Sequence, residues 1–397
     1  MSSTRRAQDR RPLLWTAAIA VPVIVGTAIL VPMTASGAVD LPDKTAAELI
    51  AFAEASDLDA LSGMIVQTSE LGLPDLGALT SSMGGSSERA NSGDNSGATD
   101  IDDLISLVTG SHTAKVYLDG ENARLQVLDQ LGERNVYVDG EADQIWFVDS
   151  ESQTATKLTL PSESELEALH GDAVNSDAKP DAEADAALPT PDDMLDQALA
   201  RLDESTGVTV GADARVAGRD VYELILAPRT SDTLVGELRF AIDGETGAAV
   251  AASVTARGAS APAFEIAFTQ VDFTAPDASV FAFEPGADIT VTEKDVALPT
   301  ARPDEDEMMT DASTPVVVGE GWSAVAVLPG SAETGGESVF AGLDPEQLAM
   351  LETVTTAVDG GRAMQTSLVS VLITDDGRVL VGAVPASRLV EAAQTGL

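Results

Sequence analysis

Cysteine is absent from this chain of 397 residues, and aromatic and basic residues are scarce. Without cysteine there is no disulfide, no thiolate metal site, no thiol nucleophile and no cysteine to carry a lipid. Aromatic residues make up 4% of the chain, so its cores must be built mainly from Val, Leu, Ile and Ala. Only 22 Lys and Arg stand against 65 Asp and Glu, which gives a net charge of -43. Such a surface repels phosphate backbones, and we therefore expect no nucleic-acid partner.

The N-terminal segment predicts where the protein works. Arginines precede an uncharged apolar run at 13–33. Because a basic flank stays in the cytoplasm, the remainder of the chain is expected to be translocated. The run has about the 20 residues that a membrane span needs, yet the small residues Ser36, Gly37 and Ala38 suit signal-peptidase cleavage. Residues 1–38 are thus predicted to be either a signal peptide or a membrane anchor, and the rest is placed in the extracytoplasmic cell envelope, secreted or anchored.

Three polar or acidic segments divide the remaining chain. They contain too few large apolar residues to offset the entropy of ordering, so we expect mobile segments. They are 80–100, 161–190 and 301–314. The sequence therefore predicts one large domain at 39–300 with two mobile insertions, an acidic linker at 301–314 and a small α+β unit at 315–397.

The large domain shows two series of short strands. Dipeptides such as Asp119-Gly120 and Asp139-Gly140 separate consecutive strands, as in hairpins, and predict an antiparallel meander. The first series is predicted at 113–118, 123–128, 135–138, 144–148 and 154–160, and the second at 220–227, 234–242, 249–256 and 263–273. Helices are predicted at 44–54 and at 190–202, where Thr190-Pro191 provides a cap and a first-turn proline. An α+β fold with one sheet and covering helices follows.

The small unit is predicted to mix strands and helices. Asp344 to Gln347 reads as a capping box that opens a helix, whose apolar stripe includes Val354 and Val358 and which ends at Gly360. The other predicted elements are strands at 316–318 and 323–328, a hairpin of 368–373 with 379–384, and a last helix after Pro385.

A search for chemistry finds no constellation of catalytic residues. The two histidines are His112, beside a strand, and His170, in an acidic segment. No spacing typical of a serine hydrolase, zinc protease, P-loop or EF-hand appears. The SxxK match at 176–179 lies in a segment of low hydrophobicity that cannot hold a rigid site, and no glycine-centred loop arranges the acidic runs for Ca²⁺. We therefore predict no catalytic residue, no metal and no cofactor, with an envelope hydrolase as an open alternative.

The remaining feature is the apolar face of the meander. Such a face must pack against helices or enclose an apolar guest, and an apolar pocket is a site for a lipid-like ligand. An ordinary filled core explains the same residues. The candidates for lining a cavity are Val116, Leu118, Leu125, Val127, Ile145, Phe147, Leu224, Leu226, Phe240, Phe264, Ile266 and Phe268.

Four segments resemble actinobacterial proteins of the LolA-like superfamily, which includes the lipoprotein carrier LolA and the N-terminal domain of RseB/MucB. The resemblance spans about 41–292 and is carried by 61–68, 110–116, 216–224 and 262–271. The run 375–384 resembles the C-terminal part of the same actinobacterial group and not LolA itself.

The resemblance implies an unclosed antiparallel β-barrel, with helices as a lid over an apolar cavity and no catalytic residue. It implies a non-enzymatic envelope protein that binds a lipid, an acyl chain or a lipoprotein. The alternative that it leaves open is an RseB/MucB-like stress sensor, whose C-terminal unit contacts a membrane-bound anti-sigma partner.

Overall fold

The computed structural model describes residues 41–72, 111–128, 132–160, 190–295, 316–328 and 352–395. The N-terminal apolar run, the SxxK match, His170 and nearly all of the three predicted mobile segments lie outside these ranges. Within the described ranges, no helix has the length and apolar character needed to cross a membrane.

Thirteen strands form the main sheet, in the order β13-β6-β5-β4-β3-β2-β1-β12-β11-β10-β9-β7, with β8 also paired to β9. The two ends of this order, β13 and β7, do not pair with each other, so the sheet is not closed. The strands are β1 (Ala60–Ser69), β2 (His112–Asp119), β3 (Asn122–Leu128), β4 (Glu133–Asp139), β5 (Gln144–Asp149), β6 (Thr154–Thr159), β7 (Thr206–Val210), β8 (Ala214–Val216), β9 (Arg219–Pro228), β10 (Val235–Asp243), β11 (Ala249–Ala256), β12 (Pro262–Asp272) and β13 (Thr290–Asp295).

The pairing is antiparallel at every junction of the main sheet except the parallel pair β13–β6. Two meanders, β1 to β6 and β9 to β12, meet where β1 pairs with β12. The predictions of a mainly antiparallel sheet, of few helices and of an unclosed edge are therefore confirmed. The barrel curvature implied by the resemblance stays a prediction.

Two helices pack on the second meander. Helix α1 (Ala46–Glu54) and helix α2 (Pro191–Ala200) each begin with a capping box, formed by Thr45 with Glu48 and by Thr190 with Asp193. Helix α1 packs on β7 and β9, and α2 packs on β11. The apolar faces of the two helices bury Leu49 and Leu195 in the main core.

The segment after β12 crosses the far strands of the first meander. Phe283 stacks on Tyr137 with ring centroids 5.2 Å apart and meets Trp146 edge-on at the same distance. Together with Ile289 it covers the small core formed by Tyr137, Val148 and Ala155. This crossing closes one face of β4, β5 and β6.

The C-terminal residues form a separate six-stranded sheet in the order β14-β15-β19-β18-β17-β16. Helix α3 (Ala386–Gln394) packs on β17, β18 and β19 and buries Leu389 between them. The strands are β14 (Val316–Val318), β15 (Val325–Leu328), β16 (Thr356–Val358), β17 (Gly361–Gln365), β18 (Ser370–Thr374) and β19 (Val379–Gly382).

One predicted helix in this unit is wrong at its C-terminal end. Helical residues stop at Val354, and Val358 lies in β16, directly opposite Gly361 in β17. Asp359-Gly360 is the two-residue loop of a hairpin, with Gly360 at φ +80°. Glycine at that position suits a hairpin as well as a helix end, and only pairing with β17 distinguishes them.

The two sheets are held together by backbone and side-chain contacts. The N–H of Leu234 and the hydroxyl of Thr233 both donate to the carbonyl oxygen of Ala383, over 2.8 and 2.7 Å. The loop between β17 and β18 inserts Leu368 and Val369 into the main core. Two more hydrogen bonds cross the junction, from Trp322 Nε1 to Thr206 Oγ1 and from Ser367 N to Leu71 O.

Candidate functional site

The strand register places every predicted cavity residue on one face of the main sheet. Residues directly opposite each other in neighbouring strands point to the same side. Leu125 lies opposite Val116 and Val136, and Val136 lies opposite Phe147, so this side is called the Leu125 face. The pairs Ile65–Phe268, Ile266–Ala252, Ala252–Phe240 and Phe240–Leu224 extend it across β1, β12, β11, β10 and β9.

Most of these candidates are fully packed. The members in the second meander, with Val116, Leu125 and Val127, are between 0 and 6% exposed and belong to one core cluster. Phe268 lies over Gly63, where a Cβ atom would come within 2.6 Å of the ring. The Leu125 face is thus filled around Phe268.

The remaining candidates, Leu118, Ile145 and Phe147, are only half-buried. They lie in two adjacent rows across β2 to β6, one running Leu118-Ala123-Val138-Ile145-Leu158 and the other running Val116-Leu125-Val136-Phe147-Thr156. The half-buried apolar side chains of these rows are called the open patch and are Leu118, Val136, Val138, Ile145, Phe147 and Leu158.

The open patch continues the core without a break. Leu118 and Val136 pack against the main core cluster at its near side. Arg134 and Asp149 lie opposite each other in the next row and supply a polar boundary on the same face. The result is an apolar strip with one end against the core and a charged pair beside it.

On the face opposite Leu125, the segment after β12 covers β4, β5 and β6. There, Tyr137, Trp146 and Phe283 form an aromatic cluster. Arg124 lies over the Tyr137 ring, 4.7 Å from its centroid, and donates to Val280 O and Asn135 Oδ1. Burial, the largest cause, raises the pKa of Tyr137, and Arg124 opposes this shift.

A separate groove of about 370 Å³ crosses β1, β2 and β12. Lys115 and Tyr117 line it, together with Met64 and Gln270. By register these side chains lie on the face opposite Leu125. The groove is therefore distinct from the open patch and is more polar.

Three described carboxyl groups have a raised pKa. Burial raises the pKa of Asp192 to about 6 and is the largest cause of the rise at Asp196 and Glu265 as well. Asp192 accepts a hydrogen bond from the N–H of Ala249 and lies beside Asp193 and Asp196, so its contacts are those of a helix joint. Across the described ranges, no group of His, Asp and Glu is arranged to hold a metal ion.

Sequence reasoning missed Val136, Val138 and Leu158, which share the open patch with the predicted Ile145 and Phe147. The signal was present, because Val136 and Val138 alternate within one predicted strand and Leu158 follows the same alternation. Which strand lies beside which decides that these side chains meet, and that neighbour relation comes from the register.

No protein-family model and no curated protein matches the chain. Solved structures that resemble it include the Pseudomonas aeruginosa MucA/MucB complex, at 16% identity over 88% of this chain and 96% of that chain, with a TM-score of 0.40. A LolA superfamily protein from Nitrosomonas europaea shares 9% identity over 61% of this chain and 99% of that chain, with a TM-score of 0.22. A putative outer membrane lipoprotein-sorting protein domain from Vibrio parahaemolyticus shares 8% identity over 59% of this chain and 97% of that chain, with a TM-score of 0.22. Similarity at these levels assigns neither a fold nor a function to this chain.

Proposed function

We propose that this protein binds an acyl chain of a lipid or lipoprotein along the open patch, without catalysing a reaction on it. The observation that carries the proposal is the pair of apolar rows across β2 to β6, which are half-buried on the Leu125 face, while the segment after β12 covers the opposite face of β4 to β6. An apolar strip of this kind, bounded by a polar pair, is typical of a site for an apolar ligand.

The energetics of an acyl chain suit such a strip. Each buried methylene contributes about 0.8 kcal/mol, so ten methylenes give about 8 kcal/mol before the cost of association. Association costs about 4 kcal/mol or more, which leaves an affinity in a weak to moderate range. A long chain can therefore bind without a dedicated polar anchor, in keeping with the apolar character of the strip.

The proposal is tested on the full-length protein by mass spectrometry of extracted lipid and by displacement of a fluorescent fatty acid. We expect Phe147→Asp to weaken fatty-acid binding at least tenfold (about 1.4 kcal/mol), because the chain would have to cover an unpaired carboxylate. Phe147 is half-buried, so the variant is expected to keep its fold.

The matched control is Val291→Asp. Val291 is 39% exposed, and its partner Ala155 lies on the opposite face of β6. This control should bind like the parent protein. Absence of both extracted lipid and fatty-acid binding in the parent, or equal weakening by the two variants, would refute the proposal.

We also propose that this binding takes place outside the cytoplasm, on the basis of the arginine-flanked run at 13–33. A reporter that works only after export, fused behind residue 395, should be active. Activity of a reporter that works only in the cytoplasm would contradict this location and leave the acyl-binding test unaffected.

A further inference from the structure

Exposed large apolar side chains concentrate on one hairpin of the C-terminal sheet. Among the described residues, those that stand out are Leu202, Val291, Val316, Val317 and Leu328. Three of the five lie on β14 and β15, and Val317 is the most exposed at 65%, followed by Val316 at 52%. Val316 and Val317 are consecutive, so β14 presents apolar side chains on both of its faces.

Among the described residues, β14 is also an edge strand. It ends the strand order of the C-terminal sheet and pairs with β15 through the residue pairs Val316–Val327, Val317–Ala326 and Val318–Val325. Alternate residues of a strand direct their N–H and C=O groups to opposite sides, so a strand paired on one side offers hydrogen-bonding groups on the other. An edge of this kind is a template for one more strand.

Edge strands of soluble proteins are usually protected by charged residues. β13, an edge of the main sheet, carries Glu293 and Lys294 beside its exposed Val291. β14 consists of three valines and carries no charge. β14 therefore lacks the charged residues that protect β13, and only its short length limits pairing at this edge.

We propose that β14 docks an extended segment of a partner protein, which adds to the sheet as a further strand and carries Lys or Arg beside alternating apolar residues. Strand addition takes affinity from backbone hydrogen bonds and specificity from alternate side chains. The basic flanks follow from charge, since Glu320 lies two residues beyond β14 and the whole chain carries a net charge of -43. A second copy of this chain would bring another net charge of -43, which opposes self-pairing.

The probe is a synthetic peptide of alternating Val and Thr with two lysines at each end, titrated into the full-length protein. Its controls are the same peptide with glutamates at its ends and one with N-methylated backbone at alternate residues. We expect both control peptides to bind at least tenfold more weakly, because one reverses the charge and the other removes backbone donors. Raised salt should weaken the lysine peptide.

The matched protein variants are Val317→Lys and Val291→Lys, which place the same charge on two exposed edge-strand valines. Val317→Lys should reduce binding of the lysine peptide at least tenfold, and Val291→Lys should leave it within about twofold. No binding by the parent, equal binding of the N-methylated peptide, or equal loss in both variants would overturn the proposal. A dimer of the parent that Val317→Lys dissociates would overturn it too, because the occupant would then be a second copy.

Discussion

At the scale of single residues, Asp192 shows a conflict between local and tertiary preferences. It lies in the first turn of α2, where the helix dipole favours a carboxylate. Burial has the larger effect, however, and together with the neighbouring carboxylates Asp196 and Asp193 it raises the pKa of Asp192 to about 6. The hydrogen bond from the N–H of Ala249 lowers the pKa but does not outweigh burial. The native state therefore holds a proton at a pH at which the unfolded chain has released it.

The consequence is a defined pH dependence. Between about pH 4 and 6 the folded state binds more protons at Asp192 than the unfolded state, so its contribution to stability falls as the pH rises through this window. Two pKa units correspond to about 3 kcal/mol. Because the side chain keeps some contact with water, we expect Asp192→Asn to raise the free energy of unfolding at pH 7 by about 1–2 kcal/mol, and by little at pH 4.

Urea unfolding at both pH values measures this change. The amide oxygen of Asn can still accept from Ala249, so the helix joint is kept. Asp232→Asn, at an exposed position, is the control for removing one negative charge. A pH-independent gain in Asp192→Asn would contradict the assignment.

Phe268 and Phe147 are predicted to respond differently to truncation, although both were candidates for one cavity. Phe268 is 3% exposed and lies on Gly63, so Phe268→Ala should lower the free energy of unfolding by about 3–5 kcal/mol. Phe147 is half-buried in the open patch, so Phe147→Ala should cost about 1 kcal/mol and should weaken fatty-acid binding. Similar stability losses in the two variants would show that the patch is core.

At the scale of secondary-structure elements, the hairpins were the most predictable. Asp-Gly turns and alternating apolar residues located β2 to β6 and β9 to β12, and Thr190-Pro191 located α2. β1 was not predicted as a strand, since Gly63 and Ser62 lower its propensity and its apolar residues point to both faces. β7 and β13 were also missed, because they are edge strands that pair with strands that are not their neighbours in the sequence. β8 was missed because it has only three residues.

The loop between β17 and β18 connects the two sheets, which the sequence assigned to different units. Leu368 is 4% exposed and belongs to the main core, although its loop joins two strands of the C-terminal sheet. We expect Leu368→Ala to lower the free energy of unfolding of the main sheet by about 2–4 kcal/mol. Tryptophan fluorescence reports this, because Trp146 lies in the main sheet and Trp322 lies at the junction.

The exposed Leu328 serves as the control for that truncation. Leu328→Ala, in the same sheet but 40% exposed, should change stability by much less. If Leu368→Ala shifted the unfolding transition of Trp322 and left that of Trp146 unchanged, the two sheets would unfold independently. The predicted division at 301–314 would then separate two units that unfold on their own.

At the scale of the whole molecule, charge is the dominant property. A net charge of -43 places many carboxylates within repulsive distance, and only some of them are paired with Arg. Arg219 contacts both Asp243 and Glu245, and Arg239 contacts both Glu223 and Glu237, so each of these arginines serves two carboxylates. Salt should therefore stabilise the fold by screening the repulsion that remains.

We expect the melting temperature to rise by several degrees between about 10 mM and 300 mM NaCl, with most of the rise in the lower half of this range. Differential scanning calorimetry at pH 7 measures it, and an uncharged osmolyte at equal osmolality is the control. A flat response would mean that the acidic groups lie mainly far from the folded sheets. The salt dependence of the melting temperature does not distinguish an acyl-chain carrier from a stress sensor, so the sensor role stays a prediction.

Local sequence signals located most of the extended segments and the turns of their hairpins, because alternation and Asp-Gly turns depend only on neighbouring residues. The sequence also predicted that the candidate residues lie on one face, since alternate residues of a strand share a side. Packing in three dimensions then separated the buried candidates from the half-buried ones: Phe268 and Phe147 have the same chemistry, but Phe268 is buried against Gly63 and Phe147 lies in a half-buried row. The same packing put Leu368 in the main core and Val317 on an uncharged edge strand of the part of the chain that the structure describes. These outcomes depend on pairings between residues far apart in the sequence, which no local pattern encodes.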